Sequence, residues 1–122
     1  MSIIKFKDLS DAAPEILAEG IEVIAKKLEE ENLQAKAQEI IERYDIHGDK
    51  SLQRSELIRF LYDVFDSEAF DVEVDDELVS KLIDECDLDG NGKLEKEDVV
   101  ELSRKILTAM RDEFEKCLKE KE

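Results

Sequence analysis

Asp87, Asp89, Asn91, Lys93, Glu95 and Asp98 stand at positions 1, 3, 5, 7, 9 and 12 of a twelve-residue stretch, Asp87–Asp98. Five of the six offer side-chain oxygens, and Lys93 offers its backbone carbonyl. Gly92 sits at position 6, where the chain must turn sharply, and Leu94 at position 8 is apolar and directed inward. Oxygen donors at these offsets can wrap a hard divalent cation such as Ca²⁺. Position 12 is the departure. Aspartate there is one methylene shorter than glutamate, which makes a two-oxygen grip on a large ion harder. A tighter octahedral arrangement becomes easier, and that is the geometry Mg²⁺ prefers. The expectation is weakened Ca²⁺ binding with appreciable Mg²⁺ competition.

The same register fits Asp45–Glu56 less well, giving a second candidate ion site at Asp45, His47, Asp49, Ser51, Gln53 and Glu56. Here Glu56 supplies the full-length closing carboxylate and Leu52 the inward residue. His47 replaces an oxygen donor, and imidazole suits hard Ca²⁺ poorly. Lys50 stands where glycine is expected and, if forced into the left-handed region, costs roughly 1 kcal/mol. Two readings stand for this loop: a weak ion site, or a folding partner whose Leu52 segment pairs with that of Leu94. Zn²⁺ held by Asp45, His47 and Asp49 is a third and weaker reading, since a lone histidine in a polar loop is commonly just exposed.

Both loops need helices to hold them, and the periodicity supplies them. Ile16, Leu17, Ile21, Ile24 and Leu28 recur at helical spacing between about Asp11 and Glu30, with Pro14 in an early turn. Asn32 is a candidate break. The pattern resumes from Leu33 through Ala37, Ile40 and Ile41 to Tyr44, so one long helix and two shorter ones are both open. Leu57, Phe60, Leu61, Val64 and Phe65 form the next stripe. An acidic connection follows over 66–75, then a short helix from Glu77 to Cys86 and a long one from about Lys96 to Lys119. The two loops begin 42 residues apart, an internal duplication by pattern. The chain therefore divides into an N-terminal extension (1–32), a first helix-loop-helix (33–65), the linker (66–75) and a second helix-loop-helix with a long terminal helix (76–122), all in one globular domain.

Composition narrows the function classes. Apolar residues are 42% and charged residues 43% of 122, compatible with a helical domain and not with wholesale disorder. The net charge of −16 repels phosphates, so nucleic acid is not an expected partner. No apolar run is long enough for a membrane span. Two cysteines and no signal-like start point to a reducing, cytoplasmic setting. One histidine and no nucleophile–base pair leave little from which to build an enzyme.

On these loops and their flanks the chain resembles the EF-hand calcium-binding superfamily, in its calmodulin-like paired form. Tyr44 and Cys86 precede the two loops, Ile41 and Ile83 lie a turn earlier, and Leu57/Phe60 and Val99/Leu102 follow at equal offsets. The resemblance covers roughly half of the chain. It implies an all-α fold of two packed hands, here with an added N-terminal helix and a long C-terminal one, joined by a short two-stranded contact. It also implies a Ca²⁺-binding regulatory or sensor protein in cell signalling that engages a protein partner. The alternatives are a Ca²⁺/Mg²⁺ buffer, or a structural interaction subunit with little ion-dependent switching. The expected partner face is Val64, Phe65, Ile106, Met110 and Phe114, whose acidic rim would favour a basic amphipathic helix. Internal burial of that stripe beneath the N-terminal helix is the competing reading. Oligomeric state is not expressed in the sequence.

Overall fold

The computed structural model describes residues 6, 12–48, 50–65, 73–86 and 93–120. They form five helices: α1 (Pro14–Lys27), α2 (Glu30–Tyr44), α3 (Arg54–Phe65), α4 (Asp76–Cys86) and α5 (Lys96–Glu120). The class is all-α. Among the described residues the only extended pairing between segments of known partner is an isolated antiparallel bridge, Leu52 to Leu94.

Pro14 occupies the start of α1, where its missing N–H costs no helical bond, and Lys26 and Lys27 end it beside the exposed carbonyls. The chain then breaks at Leu28 and Glu29, earlier than the candidate break at Asn32. Glu29 is extended (ψ 139), and α2 starts at the next residue. Asn32 takes part in the break from a distance: its Nδ2 donates at 2.6 Å to the Lys26 carbonyl, which also accepts the Glu29 N–H at 3.2 Å. The N-terminal pattern is therefore two helices.

Helices α2 to α5 enclose the main core. Leu33, Ala37, Ile40 and Ile41 of α2 meet Leu57, Phe60, Leu61 and Phe65 of α3, with Leu78, Val79, Leu82 and Cys86 of α4 and Val99, Leu102 and Ile106 of α5 closing the cluster. Leu61, Cys86, Val99 and Leu102 are wholly buried. Each such leucine contributes about 1.5–3 kcal/mol relative to exposure. Helix α1 packs chiefly along α5, burying Leu17 and Ile24. The approach is close: a Cβ on Gly20 would lie 2.7 Å from the Phe114 ring, so only glycine lets the two helices meet there without displacement.

Polar contacts fix how the helices are joined. Arg104 of α5 reaches Glu30 at the start of α2 at 2.9 Å while also holding Glu101 at 2.6 Å. Arg54 at the start of α3 donates to the Asp76 carbonyl and to Ser80 Oγ, both at 3.1 Å, tying α3 to α4. Among the described residues no helix is long and apolar enough to cross a membrane.

Candidate ion-binding loops and the cavity behind them

The first loop is organised around two carboxylates. Helix α2 ends at Tyr44, and Asp45 donates its N–H to the Ile41 carbonyl at 2.8 Å. The Asp45 carboxylate then accepts the N–H groups of Gly48 (2.9 Å) and Lys50 (2.7 Å). Both donors lie in the left-handed region, Gly48 at φ 71 and Lys50 at φ 61, so lysine here carries the strain that glycine would avoid.

Glu56 closes the same loop from the first turn of α3 and is fully buried. One oxygen accepts the N–H of Ile46 (2.6 Å), the N–H of His47 (3.2 Å) and His47 Nδ1 (3.0 Å). An ionised carboxylate can only accept, so Nδ1 is the protonated ring nitrogen. The other oxygen accepts the Gln53 N–H at 2.7 Å. Burial alone would push this carboxyl up. The N–H of Gln53, the His47 imidazole and the N–H groups of Ile46 and His47 outweigh it, and the pKa is held below the ordinary glutamate value. Ser51 is buried, Gln53 half-buried, and Asp49 lies outside the described residues.

In the second loop, Asp87, Asp89 and Asn91 lie outside the described residues, while Lys93, Glu95 and Asp98 lie within them. Asp98 is 2% exposed, in the first turn of α5, and accepts the Glu95 N–H at 3.0 Å. This repeats the Glu56–Gln53 contact at the start of α3. In both places a carboxylate three residues into the turn reaches back to a backbone N–H, a capping arrangement that stabilises a helix start with or without an ion. Leu52 and Leu94 are both 1% exposed and exchange hydrogen bonds of 2.7 and 2.9 Å, the contact expected of the two position-8 residues. Segments 51–56 and 93–98 thus lie side by side, each with its closing carboxylate four residues beyond the bridge. Among the described residues no group of three or more His, Cys, Asp or Glu side chains is gathered as a metal would need.

The expected partner face is distributed unevenly. Phe65 and Ile106 are buried, and Val64, Met110 and Phe114 are half-buried. Phe114 lies against α1 at Gly20. Val64, Ile106 and Met110 instead line a cavity of about 540 Å³ between α2, α3 and α5. An adjoining polar cleft of about 390 Å³ runs over Arg43, Tyr44 and Asp63, where the Tyr44 hydroxyl donates to the Asp63 carboxylate.

Three cavity residues carried no signal of their own in the sequence: Lys27, Lys36 and Ser103. Ser103 is detectable in hindsight as a hydroxyl inside an apolar stripe, four residues after Val99 and four before Leu107. Cys86 is buried, and burial pushes its thiol up to about 12. Cys117, near the end of α5, is also buried, and burial raises its thiol too. Comparison with family models, with curated proteins and with solved structures gives no match.

Proposed function

We propose that the chain is a Ca²⁺-binding regulatory protein of the paired EF-hand type, with loop 87–98 as its principal ion site, loop 45–56 as a weaker one, and a protein partner as its target. The observation that carries this reading is the pairing of the two loops. Leu52 and Leu94 are bridged by two hydrogen bonds, and the closing carboxylates Glu56 and Asp98 are buried at the same offset beyond it. Two turns that merely connected helices would have no reason to share a register and a bridge. The oxygen donors at Asp87, Asp89 and Asn91 supply the chemistry, and the short Asp98 makes Mg²⁺ a competitor.

A second reading, a structural interaction subunit with little ion-dependent switching, draws support from the first loop. The Asp45 and Glu56 carboxylates already accept backbone N–H groups and His47, so an ion there would have to displace those donors. Isothermal titration calorimetry with Ca²⁺ and Mg²⁺ on the wild type, Asp87→Ala and Asp45→Ala separates the two. The primary reading expects a Ca²⁺ heat that Asp87→Ala abolishes and Asp45→Ala largely preserves. No Ca²⁺ heat in the wild type would overturn it.

A further inference from the structure

The cavity between α2, α3 and α5 combines features that a void left by imperfect packing would not. Its walls are apolar, formed by Leu33, Ile40, Phe60, Val64, Ile106 and Met110. At about 540 Å³ it falls within the roughly 300–1,000 Å³ of small-molecule sites. Among the described residues its charged lining is Lys27 and Lys36, with no carboxylate. In a chain with 34 acidic and 18 basic residues, a described lining whose charged side chains are both cationic departs from the overall composition.

The interior also contains an unsatisfied hydrogen-bonding group. Ser103 is 7% exposed, lines the cavity, and its Oγ has no hydrogen-bond partner among the described residues. A buried hydroxyl without a partner is costly and calls for an explanation. Its neighbour Arg104 reaches Glu30 at 2.9 Å, so this part of α5 lies beside the α1–α2 junction. Lys27, the last residue of α1, and Asn32, in the first turn of α2, belong to that same junction. The polar lining therefore gathers at one end, and Ile40, Phe60 and Val64 carry the apolar wall away along α2 and α3. Lys36 also pairs with Glu39 at 3.6 Å, but both side chains are more than half exposed, so an incoming anion can replace that contact at little cost.

We propose that this cavity binds a single-chain anionic amphiphile of the fatty-acid class. Its alkyl tail lies along Ile40, Phe60, Val64 and Met110. Its carboxylate accepts from Ser103 Oγ and is neutralised by Lys27 and Lys36. None of these residues belongs to either loop, so the failure of Ca²⁺ binding and the failure of this proposal are separate results.

The test is calorimetric titration of the full chain with octanoate, decanoate and dodecanoate, each below its micellar concentration and in EDTA so that calcium soaps cannot form. One site per chain is expected, with affinity rising roughly fourfold per added methylene. Dodecyltrimethylammonium should bind at least tenfold more weakly than dodecanoate. Ser103→Ala should lower dodecanoate affinity roughly threefold to tenfold through the lost hydrogen bond. Lys27→Gln with Lys36→Gln should lower it and flatten its salt dependence. Val64→Trp, which fills the half-buried wall, should abolish binding. Because the two lysines are exposed, their double variant keeps the test valid if Val64→Trp does not fold. Non-saturable binding, equal binding of the cationic amphiphile, or dodecanoate affinity unchanged by the lysine pair would each overturn the proposal. So would saturation by an amphipathic peptide where dodecanoate fails.

Discussion

Replacing Glu56 by glutamine tests how the first loop is held together. One carboxylate oxygen accepts from Gln53 N–H, the other from Ile46 N–H, His47 N–H and His47 Nδ1. An amide has a single acceptor oxygen. Its least costly orientation keeps that oxygen on the three-donor side and turns its NH₂ toward the Gln53 N–H. A half-buried backbone donor then loses its carboxylate acceptor, costing about 1–3 kcal/mol, and the three retained bonds lose their charge assistance. The sum is a destabilisation of about 2–4 kcal/mol. Removing one carboxylate from a chain of net charge −16 relieves some self-repulsion, a smaller and salt-screened effect of opposite sign. With a urea slope of about 2 kcal/mol/M, the middle of the usual range, the unfolding midpoint at pH 7 should fall by roughly 1–2 M. Acid supplies an independent readout. The folded pKa of Glu56 lies below its unfolded value, so its contribution is complete above the unfolded value and is lost as pH falls through the folded one. Below that point a protonated Glu56 resembles glutamine, and the gap between wild type and Glu56→Gln should narrow. A difference under about 0.5 kcal/mol at pH 7, or a gap that stays constant into acid, would mean that the Glu56 carboxylate does not hold the loop.

Three further outcomes follow from other sites. Lys50→Gly should relieve the left-handed strain at φ 61 and, after the larger chain entropy of glycine, stabilise by up to about 1 kcal/mol, read as a higher urea midpoint. A lower midpoint would mean that the lysine side chain contributes more than its backbone costs. Asp98→Glu should tighten Ca²⁺ binding and reduce its sensitivity to millimolar Mg²⁺ in competition calorimetry, and unchanged affinity would remove the short carboxylate as the limiting feature. Cys86 and Cys117 are both buried with thiols shifted upward, so a disulfide-exchange reagent at pH 8 should label neither in the native state and both in urea. Rapid native labelling of Cys117 would show that whatever covers the end of α5 opens readily.

The helices were readable because the apolar residues repeat at helical spacing. Leu57, Phe60 and Leu61 lie on one face of α3, and Leu78, Val79 and Leu82 on one face of α4, and all six are buried. The Leu52–Leu94 bridge was readable because both leucines hold position 8 of a shared register. The break at Leu28–Glu29 was not, because neither residue is glycine or proline. It is stabilised by a side chain six residues from the carbonyl it caps, Asn32 on Lys26. Nor did the sequence announce the cavity. Lys27, Lys36 and Ser103 sit on three helices, and each alone is an ordinary residue; only the packing of α1, α2 and α5 gives them a common surface. Burial of Cys117 was hidden for a similar reason, since it depends on how the end of α5 is covered.

The contact between α1 and α5 also bears on the order in which the protein folds. It joins Gly20 to Phe114, the two most sequence-distant of the five helices, while α2 to α5 form their core largely among themselves. A chain closure of that length is entropically costly to nucleate and delays native pairing. During synthesis α1 is made first, yet its cover is made last, so Leu17 and Ile24 face water until α5 has emerged. The N-terminal helix is therefore a late-docking element in time although it is early in sequence.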